Sequence, residues 1–158
     1  MRTIIVGQAP GPTADPRDPL GSGRSGDFLV TLSGAISREQ FDRYFERRNL
    51  LDHYPGPRGP KGDAFPISEA RHAAAWLVQE LHGRRVILLG DGVREAFWLR
   101  KETPKLVWIE GKLMTLALVP HPSPINRWWN VETNKINAAR FFGKALRESV
   151  QEWERSVA

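Results

Sequence analysis

Three apolar runs constrain this chain most: Thr3-Ile4-Ile5-Val6, Arg85-Val86-Ile87-Leu88-Leu89-Gly90 and Leu116-Ala117-Leu118-Val119. Each is short and nearly unbroken, as expected of strands covered by helices on both faces of a parallel sheet. The first and last open directly into polar loops shaped by glycine and proline, Gly7-Gln8-Ala9-Pro10-Gly11 and His121-Pro122-Ser123-Pro124. Ligands of open α/β sheets bind beyond the carboxyl ends of the strands, so these two loops are expected to face one crevice as two walls of a single site.

The segments between the runs read mostly as helices. Pro12 to Gly26 is dense in Pro, Gly, Asp and Ser, which predicts a long irregular loop. Ser25 is placed to cap a helix through Phe28, Leu29 and Leu32 that Gly34 ends. Ser37-Arg38-Glu39-Gln40 matches a capping box and opens a second helix with Phe41, Tyr44 and Phe45 on one face. Asn49-Leu50-Leu51-Asp52 reads as a strand edge, followed by an exposed turn-rich stretch from Pro55 to Asp63. Ser68 begins a helix in which Ala70, Ala73, Ala74, Leu77, Val78 and Leu81 recur at helical spacing, ending near Gly83, and another is predicted from Val93 to Arg100. Val107-Trp108-Ile109 and Leu113 to Val119 flank Glu110-Gly111-Lys112 as a hairpin, and Thr133 to Ser156 forms one amphipathic helix. Strands alternating with helices predict an α/β fold, a three-layer α/β/α domain with a central, mostly parallel sheet, and one domain over residues 1–158.

Composition narrows the chemistry. The chain has no cysteine, which excludes disulfides, thiolate nucleophiles, thiolate zinc sites and iron–sulfur clusters. No apolar stretch approaches the ~18 residues of a membrane span and a strand begins at residue 3, so no membrane and no signal peptide are expected, and the compartment is read as intracellular, cytoplasm or nucleoid. The net charge of +5, with Arg47-Arg48, Arg84-Arg85 and Arg100-Lys101, favours a polyanionic partner, because neutralising phosphates releases condensed counterions.

The two loops resemble the signature motifs of the uracil-DNA glycosylase superfamily, a Gly-Gln/Glu-Ala-Pro-Gly loop first and a His-Pro-Ser loop last, in that order and nearly a chain length apart. The resemblance implies a protein that binds DNA, flips a base into the crevice and hydrolyses its N-glycosidic bond. It implies no metal or organic cofactor, and a monomer is expected. His121, restrained by Pro120 and Pro122, is then the donor to the oxyanion that develops on the departing base. Gln8 lines the pocket, positioning water or closing over the base. Gly7 and Gly11 let backbone approach the ligand, and Pro10 stiffens the turn.

Ala9 stands where the best-known uracil-DNA glycosylases carry a catalytic aspartate, so the water activator is sought at Asp52 or Asp15. Asn49 follows a helix in the chain order where the superfamily places an asparagine that reads the uracil edge; the alternative for it is a turn cap. Pro19-Leu20-Gly21-Ser22 replaces the relatives' Pro-Phe-Val-Gly, making Leu20 an aliphatic platform. Ser123, Pro124, Ile125, Asn126 and Arg127 form the loop that enters DNA, with Ile125 or Arg127 filling the space a flipped base vacates. Trp128 and Trp129 either stack on bases or bury against the last helix. His121-Pro122-Ser123-Pro124 with Asn126, then Asn134-Lys135, resembles the single-strand-selective branch. The expected activity is a DNA glycosylase for uracil or a related deaminated or modified base. Two alternatives stay open, a glycosylase for a modified base other than uracil and a module of the same fold that binds a base without cutting.

Overall fold

The computed structural model describes residues 2–21, 23–60 and 62–158; Ser22 of the predicted platform segment lies outside them. Five strands form one sheet: β1 (Thr3–Gly7), β2 (Phe45–Asn49), β3 (Arg85–Leu89), β4 (Ile109–Glu110) and β5 (Thr115–Val119). Their order is β2-β1-β3-β5-β4, parallel except where β4 runs antiparallel to β5 at the edge. Helices α1 (Arg24–Ser33), α2 (Arg38–Tyr44), α3 (Ile67–Glu80), α4 (Gly90–Ala96) and α5 (Glu132–Val157) complete the chain, with a 3₁₀ turn at Arg127–Asn130.

Side chains alternate across the sheet, so each central strand serves two cores. Ile5, Ile87, Leu89, Ala117 and Val119 pack under α1, α2 and α5 with Leu29, Phe41 and Phe142. Ile4, Val6, Val86, Leu88 and Leu118 face α3 and α4, meeting Ala70, Ala74, Leu81 and Val93. Every one of these side chains is essentially removed from water, which contributes roughly 1.5–3 kcal/mol for each large aliphatic one. Two cores on one sheet make the three-layer α/β/α fold that the unbroken apolar runs predict.

Several boundaries differ from the sequence expectation. The strand expected at Asn49-Leu50-Leu51-Asp52 lies earlier, at Phe45–Asn49, and Phe45 belongs to it rather than to α2. This edge strand is charged, and its charges are paired: Glu46 with Arg48 and Arg84, and the largely buried Arg47 with Asp18 and Asp42. Helix α1 begins at Arg24, before the expected cap Ser25, because Gly23 takes a φ of 152° that only glycine adopts comfortably and turns the chain into the helix there. Helix α4 starts at Gly90 rather than Val93 and stops at Ala96, after which Trp98 has a positive φ of 56° that breaks the helical path. Ser37 does cap α2, accepting from the Gln40 N–H at 3.1 Å, while the Gln40 side chain reaches back to the Ile36 N–H at 2.8 Å. Among the described residues, no helix is long and apolar enough to cross a membrane.

Candidate functional site

The parallel register aligns the carboxyl ends of the strands: Gly7 lies opposite Asn49, and Leu89 opposite Val119. The segments that follow these ends enclose a cavity of about 450 Å³, within the range of small-molecule sites. Gln8, Ala9, Pro10 and Gly11 form one wall, His121 and Ser123 another, and Asn49 lies at the end of β2. Leu20 and Gly21 come from the long loop before α1, and Asp63 and Ala64 from the turn-rich stretch after β2. Residues more than a hundred positions apart thus meet at one sheet edge.

His121 is held from three sides. Its carbonyl accepts from the Trp129 indole N–H at 2.8 Å and from the Asn126 side-chain amide at 3.0 Å, and the Asn126 carboxamide oxygen also caps the 3₁₀ turn at the Trp128 N–H. Gly90, at the start of α4 with a φ of 88°, packs so closely that a Cβ there would lie 2.9 Å from the His121 Cβ. The ring itself accepts from the Ser123 backbone N–H through Nδ1 at 3.2 Å. Burial holds its pKa below the usual histidine value, with the negative charge of Asp63 acting in the opposite direction. A neutral ring whose Nδ1 is an acceptor carries its proton on Nε2, which leaves an N–H donor for a ligand.

Asn49 supplies the complementary group. Its carboxamide oxygen is buried and has no hydrogen-bond partner, and a Cβ on Gly7 would approach that oxygen to 2.9 Å. Gly7 is therefore glycine because the Asn49 amide lies against it, and it is buried beneath the cavity rather than lining it. An unpaired buried acceptor costs about 1–3 kcal/mol, which a ligand N–H would offset. The Asn49 side-chain oxygen caps no turn.

Leu20 lines the cavity in a left-handed conformation, φ 52°. Arg47 secures its loop by donating to the Pro19 carbonyl at 2.7 Å and to Asp18 at 2.9 Å. Gln8 extends toward α4, where its amide nitrogen would sit 3.0 Å from a Cβ on Gly92.

Asp52 does not join the site. Its side chain is 99% exposed and bonds to His53 Nδ1 at 2.9 Å, away from the cavity lining. The cause is local: the N–H groups of Leu50 and Leu51 donate to the carbonyls of Gly7 and Gln8, which buries both leucines and turns the next side chain out to water. Pro124, Ile125, Asn126 and Arg127 also stand outside the cavity. Ile125 is 76% exposed at the loop tip, and Asn126 braces the His121 loop instead of reaching outward. A second groove of about 510 Å³ runs along the other side of His121, between Lys105, Ile125, Asn126 and Trp128. Trp129 is core, edge-on to Phe28 and Trp128.

Sequence reasoning missed Asp18, Arg24 and Asp63 as cavity residues. Asp15, weighed as a water activator, does line the cavity, where it is paired with Arg17. No match was found among curated proteins. The family model of the uracil DNA glycosylase superfamily matches residues 1–148, which include every element that lines the cavity, and the chain belongs to that superfamily.

Proposed function

We propose that the protein is a monofunctional DNA N-glycosylase that accepts uracil, or a related deaminated or modified base, flipped from DNA into the cavity and hydrolyses its bond to deoxyribose. The observation that carries this reading is the convergence on one cavity of the Asn49 side chain and the free Nε2–H of a neutral His121. Uracil offers an imino N–H beside carbonyl oxygens, so its edge can donate to one and accept from the other. Membership in the glycosylase superfamily and the +5 charge support DNA as the substrate.

The chemistry follows from where charge develops. As the C1′–N bond lengthens, the electron pair leaves with the base and its carbonyl oxygen becomes an oxyanion, so a fixed Nε2–H donor binds the transition state more tightly than the ground state. A neutral imidazole performs this task without taking a charge into the buried site. Leu20 supplies an apolar platform for the base, and nothing lies within 4 Å of a Cβ on Gly11.

The test is incubation of the protein with single-stranded oligonucleotides that each carry one unusual base, followed by alkaline cleavage at abasic sites. Scission at uracil or at another deaminated or modified pyrimidine is the expected result. Binding with no scission at any base would instead favour the non-cutting module that Ala9, with no carboxylate, leaves as the second reading.

A further inference from the structure

Three carboxylates line the cavity, Asp15, Asp18 and Asp63. The Asp15 carboxylate is engaged through both oxygens by Arg17, at 3.1 and 3.0 Å, and Asp18 is held by the Arg47 guanidinium at 2.9 Å. Asp63 differs. It accepts one hydrogen bond from a neutral donor, the Tyr54 hydroxyl at 3.0 Å on Oδ1, and among the described residues it has no ion pair. Desolvation, with the bond to Asp63 adding to it, holds the Tyr54 phenol above its ordinary pKa, so the donor stays a donor. Among the described residues, Oδ2 has no partner.

The position of Asp63 is fixed rather than merely nearby. Pro57 pairs with Asp63 in an antiparallel bridge, the Arg58 N–H donates to the Gly62 carbonyl and the Ala64 N–H to the Gly56 carbonyl, both at 2.8 Å. Gly56 and Gly62 take φ values of 95° and 105° that let this arm fold back on itself. The arm delivers one carboxylate to the same cavity as His121, close enough for its charge to act on the imidazole.

Resting on the proposed function, we infer that Asp63 is the catalytic residue that receives a proton from the attacking water. The water oxygen bonds to C1′ as the C1′–N bond breaks, the bonding pair leaves with the base, and the water proton passes to the Asp63 carboxylate. The base anion, held by the His121 Nε2–H, takes a proton from solvent on release, and Asp63 returns its proton to solvent. The negative carboxylate also stabilises the positive charge that gathers on the sugar in the transition state.

The test measures single-turnover release of the base that the wild-type protein cleaves. Asp63→Asn is expected to lower the rate about 10²–10⁴-fold, the usual contribution of general-base catalysis. Binding of an oligonucleotide carrying non-cleavable 2′-fluoro-deoxyuridine should be unchanged. Tyr54→Phe keeps the carboxylate and loses only its anchor, so its rate should fall less than about tenfold. Formate should restore part of the rate to Asp63→Ala and none to His121→Ala. Asp63→Asn within threefold of wild type, or Tyr54→Phe as impaired as Asp63→Asn, would overturn the assignment while leaving the glycosylase reading intact. A wild-type protein that releases no base would overturn both.

Discussion

The wall that carries His121 and the arm that carries Asp63 face one cavity, yet they are held by different means. His121 is pinned by an indole, a carboxamide, a backbone amide and the close approach of Gly90, all within or against a short loop leaving β5. Asp63 rests on one phenol and a glycine-turned arm with an isolated bridge and two backbone hydrogen bonds at its root. The first wall sets a tautomer, which demands fixed geometry. The second presents one carboxylate oxygen for proton transfer, which also demands placement but is held there by fewer contacts.

The comparison sharpens first at the base edge. Asn49→Asp places a carboxyl where the buried amide oxygen waits, so uracil release should fall roughly ten- to a hundredfold, and cytosine should gain relative to uracil because a protonated carboxyl can donate where the amide accepted. Competing-base assays on single strands read this directly. Unchanged rate and preference would remove Asn49 from base recognition and leave that task to backbone near Gln8 and Leu20.

Glycines separate the two walls next. Gly90→Ala meets both a positive φ and the His121 Cβ at 2.9 Å, so it should cost about 1–3 kcal/mol in chemical denaturation and displace the His121 loop, lowering base release as well. Gly59→Ala, at a φ of 59° in the arm with nothing within 4 Å, should cost about 1 kcal/mol and leave His121 where it is. Equal effects of the two on base release would erase the distinction between a wall pinned by many contacts and an arm held by few.

Two histidines provide a subtler probe. Burial pushes His121 below the ordinary value, whereas the hydrogen bond to Asp52, joined by the charges of Glu69 and Asp52, raises the exposed His53. Asp63→Asn removes a negative charge that favours the imidazolium, so the NMR titration midpoint of His121 should drop further and that of His53 should stay. The stability that the buried neutral His121 contributes is fully present above the unfolded-state value of about 6.5 and is lost as pH falls through the lower folded value. His53 acts in reverse: its contribution is present below the unfolded value and is lost as pH rises through its raised folded value. The smallest effect is expected at Ile125→Ala, which should slow release from duplex a few-fold and leave single strands untouched, since the proposed role of the 76% exposed side chain is to fill the space a flipped base vacates in a duplex.

Legibility in the sequence followed the same division. The runs at β1, β3 and β5 announce themselves because a strand buried on both faces needs apolar residues at every position, and the loops that leave β1 and β5 carry the motif residues. Phe45 reads as the end of the second helix and the strand as starting only at Asn49, because an edge strand lacks that requirement and Glu46, Arg47 and Arg48 are satisfied by ion pairs that only the fold creates. Asp52 reads as a candidate water activator because it follows Asn49 closely, but the backbone bonds of Leu50 and Leu51 to the first loop turn its side chain away. Asp63 carries no local mark: it sits among Gly, Pro and Lys in a segment that resembles any exposed turn. Its place in the cavity it shares with His121 arises from a local bridge to Pro57 and a hydrogen bond from Tyr54, on an arm whose position only the fold sets.

The central claim, that His121 acts as a neutral donor to the departing base, is tested most directly by measuring single-turnover base release and DNA affinity together for wild type and His121→Ala. Loss of one preorganised donor should lower the rate about 10²–10³-fold while affinity for a non-cleavable oligonucleotide stays within about twofold. Equal losses in rate and affinity, or no loss in rate, would contradict it.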